Sequence, residues 1–254
     1  KLPVAQAAIL GSFRNCENFV PSHRMNMTPI ILNARSSCGD PPDWVRRPLL
    51  RHEQKEVLSW MMEQEVEVQN TESPASLLAT EPYWGKSSVC LGLIKHRPGG
   101  PTLIIAPTSA LFHWIEEIGK FCRSNTVNVV LCTTAAEHKK CTHLKMVDAD
   151  VVLTTMSFLT GRYYCDLRGQ FLRMHSGCNF STPHLLKAEH TTVLRSIFET
   201  LTENGETGML ESVEFSRIII DEVAPVLIGH PSHKAALGLL RRGSTWGLDG
   251  YSNL

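Results

Sequence analysis

Short hydrophobic runs alternate with amphipathic segments along residues 75–250 of the chain. Several of these runs are hydrophobic throughout instead of alternating with polar residues. Continuous runs are typical of parallel strands that helices cover on both faces. The predicted strands are ASLLAT (75–80), TLIIAP (102–107), VNVVLC (127–132), DVVLTT (150–155), SRIIID (216–221) and TWGLDG (245–250).

Segments with the spacing of helices separate most of these runs. The first, residues 49–68, places hydrophobic residues on one face and polar residues on the other, as a surface helix does. Further helices are predicted over residues 86–96, 109–122, about 135–145 and 232–241. This alternation predicts an α/β fold: a doubly wound, mostly parallel sheet flanked by helices, with ligands at the carboxyl ends of its strands.

Two stretches depart from the alternation. Residues 1–48 are rich in Pro, Asn, Ser and Arg and have no sustained period, which predicts an irregular N-terminal arm. Residues 161–213 mix Arg, His, Gly and Asn, and they are predicted to form an insertion with one helix near 190–203. Residues 49–254 are therefore expected to form one lobe, interrupted by this insertion.

Composition narrows the classes of protein. Hydrophobic residues at 43% and charged residues at 20% are typical of a soluble globular chain. No hydrophobic run approaches the roughly 20 residues that a membrane span needs, so a membrane is not an expected partner. Lys and Arg total 25, as do Asp and Glu, so any contact with nucleic acid must use a local patch.

The cysteines favour a reducing compartment inside the cell. All eight are scattered without a C-x-x-C pair, and several lie in hydrophobic runs, where a free thiol behaves as a small hydrophobic residue. A zinc site could combine Cys141 with His143 and His175 with Cys178, but neither spacing matches a structural zinc site well. Buried or surface thiols are the alternative.

Gly85, Lys86 and Ser87 form the G-K-[ST] tail of a phosphate-binding loop motif. They follow the predicted strand 75–80 and open the predicted helix 86–96, which is the context that the motif requires. Backbone N–H groups at such a helix N-terminus bind phosphate, a lysine adds a full charge, and a hydroxyl joins the Mg²⁺ ligands. A surface lysine at a helix start is the alternative.

The strand FSRIIIDEV (215–223) is a second candidate for chemistry, because it ends in Asp221 and Glu222. Nucleoside triphosphatases place a Mg²⁺-binding acid and a neighbour that activates water at such a strand end. We therefore expect Asp221 to bind the metal and Glu222 to act as the base. A strand that ends in two solvated acids is the alternative.

Six segments resemble, in the right order, the first RecA-like lobe of the Swi/Snf-like DNA-dependent ATPases, which are relatives of the superfamily-two helicases. The resemblance covers about residues 48–254. The segments are the adenine-side helix LLRHEQKEVLSWMMEQE, the phosphate loop SLLATEPYWGKSS, the following motif PTLIIAPTSALFHWIEEIGKF, the DNA-side motif ADVVLTTMSFL, the acidic motif FSRIIIDEV and the coupling motif STWGLDGYSNL.

The resemblance implies that ATP and Mg²⁺ are cofactors. The nucleotide-binding residues would be Gln54, Thr80, Gly85, Lys86, Ser87 and Ser88. Lys86, Asp221 and Glu222 would be catalytic, and the metal would be held by Ser87 and Asp221. Contacts with DNA phosphates would come from Thr108, Ser109, Thr154 and Thr155, for which ordinary turn and cap chemistry is the alternative.

The resemblance also implies partners and a location. The partners would be duplex DNA, a second RecA-like lobe in the rest of the protein or in another chain, and a large protein assembly. The location would be nuclear.

Several substitutions depart from the family pattern. Thr80 stands where the family has an aspartate, and Tyr83 stands where a glycine lets the backbone approach the phosphates. Ala224 replaces the histidine that follows the acidic pair, and Asp249 opens a coupling motif that is usually Thr-Gly-Thr-Pro. These changes predict a phosphate loop that is genuine by descent but impaired.

Three functions follow as hypotheses. The first is a degenerate ATP-binding lobe of a Swi/Snf-like DNA-dependent ATPase or translocase, with weak or no hydrolysis as an isolated chain. The second is a catalytically inactive pseudo-helicase module that serves as a structural or interaction component of a larger assembly. The third, an unrelated α/β enzyme such as a small-molecule kinase, explains the G-K-S tail but not the ordered flanking segments.

Overall fold

A sheet of seven strands forms the centre of the computed structural model. The structure describes residues 6–10, 38–41, 50–68, 75–176, 208–228 and 231–250. The strands are β1 (Gln6–Leu10), β2 (Ala75–Thr80), β3 (Thr102–Ile105), β4 (Val129–Cys132), β5 (Val151–Thr154), β6 (Glu214–Asp221) and β7 (Arg241–Gly250).

All strands but one run parallel. In spatial order they are β1, β2, β7, β6, β3, β5 and β4. β2 to β7 pair in parallel, whereas β1 pairs antiparallel with β2 at the edge of the sheet. The predicted RecA-like α/β fold with a mostly parallel sheet is therefore confirmed.

The predicted irregular arm, residues 1–48, contains one strand, β1. Its five residues, QAAIL, form a strand because the free edge of β2 supplies partners for their backbone groups. That partner lies almost 70 residues away in the sequence, so no period within the arm reports it. Apart from residues 38–41, the rest of the predicted arm lies outside the described residues.

Helices connect the parallel strands. They are α1 (His52–Val68), α2 (Lys86–His96), α3 (Thr108–Phe121), α4 (Ala135–His138), α5 (His143–Val147), α6 (Met156–Leu159), α7 (Arg162–Ser176), α8 (Val223–Ile228) and α9 (Pro231–Leu239). The helix predicted over 135–145 is divided in two, because Thr134 and Thr142 each accept a backbone N–H three residues on and begin a new helix. None of the described helices is long and hydrophobic enough to cross a membrane.

α7 lies in the first part of the predicted insertion and is tied to its last part. Glu211, just before β6, accepts hydrogen bonds from Arg168 Nε at 2.8 Å and from Tyr164 Oη at 2.6 Å. All three side chains are buried. The helix predicted near 190–203 lies outside the described residues, as does the whole range 177–207 between these contacts.

Hydrophobic side chains fill both faces of the sheet. Along β6, Ile218 and Ile220 belong to one buried cluster and Ile219 to another, as expected for strand residues that point alternately to opposite faces. Residues of α7 and α9 pack in the first cluster, and residues of α1, α2 and α3 pack in the second. The carboxyl edge of the parallel strands is then the expected place for a site.

A buried carboxylate fixes the C-terminal part of α1 to the sheet. Glu65 accepts hydrogen bonds from Arg217 of β6 at 2.8 Å and from Ser244 and Trp246 of β7 at 2.8 and 3.1 Å. The pKa of Glu65 is lowered overall. Burial acts to raise it, but the hydrogen bonds and charge of Arg217 have the larger effect. At the other end of the helix, the first turn of α1 contacts the loop that follows β2 through Gln54 and Trp84.

Candidate functional site

The carboxyl ends of three neighbouring strands carry the candidate site. β7 lies between β2 and β6, with Gly250 opposite Thr80 and Leu248 opposite Asp221. Because these strands are parallel, their last residues lie at the same edge of the sheet. α2 begins at Lys86, after the loop that leaves β2. The sheet therefore brings together the predicted phosphate loop and the predicted acidic strand end.

Two residues of this loop have left-handed backbone conformations. Gly85 has φ 97°, and a Cβ at this position would collide with Gln54 Nε2, so glycine is required. Tyr83 has φ 62°, and its side chain is fully exposed. Trp84 is buried in the cluster that contains α1, α2 and α3. The Tyr83 ring thus extends into solvent, whereas the Trp84 ring anchors the loop.

The first turn of α1 and the residue before it bind the main chain of the loop. Trp84 O accepts hydrogen bonds from Arg51 Nη2 at 2.7 Å and from Gln54 Nε2 at 2.9 Å, and Arg51 N donates to Gln54 Oε1 at 2.8 Å. The Arg51 guanidinium also lies over the Trp84 ring, 5.9 Å from its centroid. Gln54 is buried, so the predicted nucleotide-binding amide supports the loop from inside the protein.

The Lys86 ammonium group lies against the strand ends. Its Nζ donates to Thr80 O and Thr80 Oγ1 at 3.4 Å and to Glu81 O at 3.5 Å. Burial lowers the pKa of Lys86, while the nearby charges of Asp221 and Asp249 act in the opposite direction. Lys86 is therefore close enough to both carboxylates to interact with them, as its predicted role beside the acidic strand end requires.

Asp221 is held by an indole from α3. Trp114 Nε1 donates to Asp221 Oδ2 at 2.9 Å, and Glu222 N donates to Asp221 Oδ1 at 3.1 Å. Burial raises the pKa of Asp221, and these hydrogen bonds and the charge of Lys86 act against the rise. Glu222 is exposed and has φ 49°, so its carboxylate lies at the surface beside Asp221.

A third carboxylate lies near the end of β7. Asp249 is 1% exposed, and its Oδ2 accepts from Ala224 N while its Oδ1 accepts from Gly250 N, both at 2.7 Å. It therefore joins the end of β7 to the start of α8. The sequence showed Asp249 only as a departure from the coupling motif, because the contact with Ala224 exists only once β6 and β7 are paired.

The groups at this edge fit a nucleotide with Mg²⁺. Ser87, in the first turn of α2, and Asp221 are partly exposed, and they offer the hydroxyl and carboxylate oxygens that Mg²⁺ uses together with substrate phosphates. Thr80 and Ser88 are buried, and Ser88 Oγ donates to Gly85 O at 2.8 Å, which supports the loop from within.

No group of three or more His, Cys, Asp and Glu side chains within the described ranges could hold a metal ion by itself. Of the residues in the zinc alternative, Cys178 lies outside those ranges, and Cys141 and His143 are buried.

The four predicted DNA contacts divide into two pairs. Thr108 and Ser109 are exposed in the first turn of α3, at the carboxyl edge of the sheet. Thr154 is buried and its Oγ1 donates to Cys132 O at 2.7 Å. Thr155 is buried and caps α6 by accepting from Phe158 N at 3.0 Å. Turn and cap chemistry therefore describes the second pair, whereas the first pair faces solvent.

Comparison with known proteins gives the family. A family model for the SNF2-related domain matches residues 53–237, which is most of the chain. The chain belongs to the SNF2-related domain family. Its fold is also similar to two solved structures from Sulfolobus solfataricus, and no curated protein sequence matches it.

Both similar structures are SWI2/SNF2 ATPase cores. One, in complex with dsDNA, has a TM-score of 0.52 and 20% identity, and the similarity covers 83% of this chain and 33% of that chain. The other, the core domain, has a TM-score of 0.52 and 19% identity, with 84% and 33% covered. The SNF2-related chain thus spans about a third of the length of these structures, and at this identity they show its fold alone.

The family match covers most of the candidate site of this SNF2-related domain, and the sheet adds β7 to it. Lys86, Asp221 and Glu222 lie within the matched residues. The match ends before β7, yet the sheet places β7 and Asp249 between the two matched strands β2 and β6.

Proposed function

We propose that this SNF2-related domain is a degenerate ATP-binding lobe of a Swi/Snf-like DNA-dependent ATPase, with weak or no hydrolysis as an isolated chain. The observation that carries the proposal is the proximity of Lys86 and Asp221 at one edge of one sheet, where a loop held by α1 opens α2. A lysine, an acid and a helix N-terminus are the parts that phosphate binding with a metal requires.

Each residue then has a defined task. Backbone N–H groups at the start of α2 bind phosphate oxygens, and Lys86 adds its full charge. Ser87 and Asp221 would hold Mg²⁺, which would neutralise phosphate charge when bound. Glu222, exposed beside Asp221, orients the attacking water and accepts its proton.

Two features of the site support a weakened reaction. Tyr83 adopts the left-handed conformation at a position where the family has glycine, so its Cβ crowds the path of a phosphate. Asp249 adds a buried negative charge close to Lys86, which opposes the approach of an anionic ligand.

The need for a second lobe bears on turnover as well. Arginine fingers from the second lobe of such enzymes are worth about 10³ to 10⁵ in turnover. This chain spans about a third of the SWI2/SNF2 cores that it is similar to. We therefore expect it to hydrolyse ATP poorly unless a second RecA-like lobe, from the rest of the protein or another chain, is supplied.

A catalytically inactive pseudo-helicase module within a larger assembly is the second candidate function. The buried hydrogen bonds of Asp249 favour it, because they use a coupling-motif residue to join β7 to α8. The two candidates differ in whether Lys86 contributes to nucleotide binding.

Calorimetry with a non-hydrolysable ATP analogue and Mg²⁺ separates the two candidates. We expect binding heat with the parent chain, its loss in Lys86→Ala and its retention in Lys139→Ala, which removes the same charge from an exposed position beyond the far edge strand β4. No binding heat in any of the three proteins would refute nucleotide binding and leave the pseudo-helicase module.

Duplex DNA is the proposed partner of the exposed pair Thr108 and Ser109. One of the similar structures is an ATPase core in complex with dsDNA, and this pair is exposed at the carboxyl edge of the sheet. ATP turnover measured with and without duplex DNA tests the coupling. Strong stimulation of the isolated chain would contradict the weakened reaction that we propose.

A further inference from the structure

Two cysteines that the proposed function does not use lie in contact at the far side of the sheet. Cys132 ends β4, and Cys141 follows the turn after α4. Both side chains belong to the same buried cluster, and each thiol is the leading influence on the pKa of the other. Cys141 Sγ also lies 3.4 Å from Leu131 O, the residue before Cys132, which independently places this sulfur against the end of β4.

The chain between the two cysteines is short and well held. Thr134 and Glu137 form a capping box at the start of α4, and the backbone N–H of Cys141 donates to His138 O at 2.9 Å. Cys132 is fully buried, whereas Cys141 keeps 9% of its surface exposed. A reagent from solvent therefore reaches Cys141 before it reaches Cys132.

The surroundings also favour Cys141 as the attacking thiol. The interaction with Cys132 and the charge of Lys145 lower the pKa of Cys141, against the effect of burial. The same interaction and burial raise the pKa of Cys132. The thiolate is the nucleophile in thiol–disulfide exchange, so the more exposed sulfur is also the more reactive one.

We propose that Cys132 and Cys141 are a reversible disulfide site, with Cys141 as the attacking cysteine and Cys132 as the resolving cysteine. The oxidant is a low-molecular-weight disulfide such as oxidised glutathione. The Cys141 thiolate attacks one sulfur of this disulfide and releases one thiolate, leaving a mixed disulfide on Cys141. The Cys132 thiol then loses its proton to water and attacks the Cys141 sulfur. This step forms the protein disulfide and releases a second thiolate, so two protein thiols are oxidised and one small disulfide is reduced to two thiols.

The disulfide site lies beside the carboxyl end of β5, where Cys132 is opposite Thr154. Cys132 O accepts the hydrogen bond from Thr154 Oγ1, and Thr155 caps α6 one residue later. Bonded sulfurs are about 2.05 Å apart, closer than sulfurs in non-bonded contact, so oxidation must bring Cys141 and the end of β4 closer together.

Mass spectrometry of the native chain tests the proposal. Trypsin cleaves after Arg123, Lys139, Lys140 and Lys145, so each cysteine falls in its own peptide, 124–139 and 141–145. After incubation with oxidised glutathione and alkylation of free thiols, we expect these two peptides to be joined, and dithiothreitol to separate them. Absence of the joined pair, or its appearance only in urea, would overturn the proposal.

Two variants test the order of attack. In Cys132→Ser the mixed disulfide on Cys141 cannot be resolved, so a glutathione adduct should accumulate on peptide 141–145. In Cys141→Ser no glutathione adduct should form on peptide 124–139, because the buried Cys132 cannot be reached. Cys122→Ser, which removes another buried cysteine, should leave the joined peptides unchanged. Accumulation of the adduct on Cys132 in Cys141→Ser would contradict the assigned order.

Discussion

At the scale of single residues, Tyr83 carries backbone strain that its side chain does not offset. Its φ of 62° lies in the left-handed region, and its side chain is fully exposed. A residue with a Cβ is disfavoured there by about 1–2 kcal/mol, whereas glycine is not. We therefore expect Tyr83→Gly to be more stable than Tyr83→Ala by about 1 kcal/mol, measured by urea denaturation.

The same pair of substitutions in a helix provides the control. Glu116 is exposed in the middle of α3, where glycine costs about 1 kcal/mol relative to alanine. The order of stability should thus reverse between the two positions. An alanine variant at Tyr83 as stable as the glycine variant would show that the loop relaxes out of the left-handed conformation.

Asp221 is expected to reduce stability at neutral pH. Its pKa is raised by burial, so the folded chain binds its proton more tightly than the unfolded chain does. The stability associated with this proton is fully present below the unfolded pKa and is lost as pH rises through the folded pKa. We therefore expect Asp221→Asn to be more stable than the parent by about 1 kcal/mol at neutral pH.

The pH dependence of this difference is the decisive measurement. At about pH 3 the parent carries a protonated Asp221, so urea denaturation should give the two chains similar stability. Asp166→Asn, at an exposed ion pair with Arg162, should differ little from the parent at either pH. A gap of equal size at both pH values would assign the effect to the lost hydrogen-bond geometry of Trp114 and not to charge.

At the scale of elements, Glu65 joins α1 to β6 and β7. Its hydrogen-bond partners Arg217, Ser244 and Trp246 are buried, so Glu65→Gln leaves the Arg217 guanidinium without its counter-charge. Removing one partner of a buried ion pair costs about 3–5 kcal/mol, and glutamine keeps part of the hydrogen bonding, so we expect a loss near 3 kcal/mol in urea denaturation at neutral pH.

This loss should shrink in acid. Because the pKa of Glu65 is lowered, its stabilising effect is present above the unfolded pKa and disappears as pH falls through the folded pKa, where the parent becomes protonated too. Glu214→Gln is the matched control, since Glu214 pairs with Arg241 at the surface and should contribute less than about 1 kcal/mol. Equal losses in the two variants would exclude a special role for the buried pair.

The elements that the sequence predicted well are those whose pattern is complete within the segment. β2 and α2 have the predicted bounds, because a hydrophobic run and the G-K-S turn mark both. β7 begins at Arg241, before the predicted start at 245, because its first residues pair with Glu214 and Phe215 through backbone groups. The sequence predicts an insertion where α7 lies, because Arg168 is a charged residue and its buried partner, Glu211, is distant in the sequence.

The candidate site divides in the same way. Lys86 and Asp221 could be proposed from the sequence because each ends or follows a hydrophobic run in a motif with known chemistry. The supporting roles of Arg51, Trp114 and Asp249 were not predicted, because each depends on a hydrogen bond between elements that are distant in the sequence. Such contacts have no periodicity, so only the packed sheet reveals them.

At the scale of the whole molecule, formal neutrality limits how the chain can bind DNA. With 25 basic and 25 acidic residues there is no global attraction, so any affinity for duplex DNA must come from local contacts, and we propose that these lie at the carboxyl edge of the sheet. The double variant Thr108→Ala, Ser109→Ala removes two exposed hydroxyls there. At about 1 kcal/mol for each hydrogen bond, it should weaken duplex DNA binding by roughly five- to thirtyfold, measured by fluorescence anisotropy.

Removing a buried hydroxyl should change stability, whereas removing the exposed hydroxyls should change DNA binding. Thr154→Val loses the buried bond to Cys132 O, so it should lower the free energy of unfolding by about 1 kcal/mol. Thr108 and Ser109 are exposed, so their double variant should unfold like the parent. Ser124→Ala removes an exposed hydroxyl before β4, at the amino edge, and should change neither property. If Ser124→Ala weakened DNA binding as much as the double variant, the carboxyl edge would not be the surface that contacts DNA, whatever the fate of ATP at Lys86.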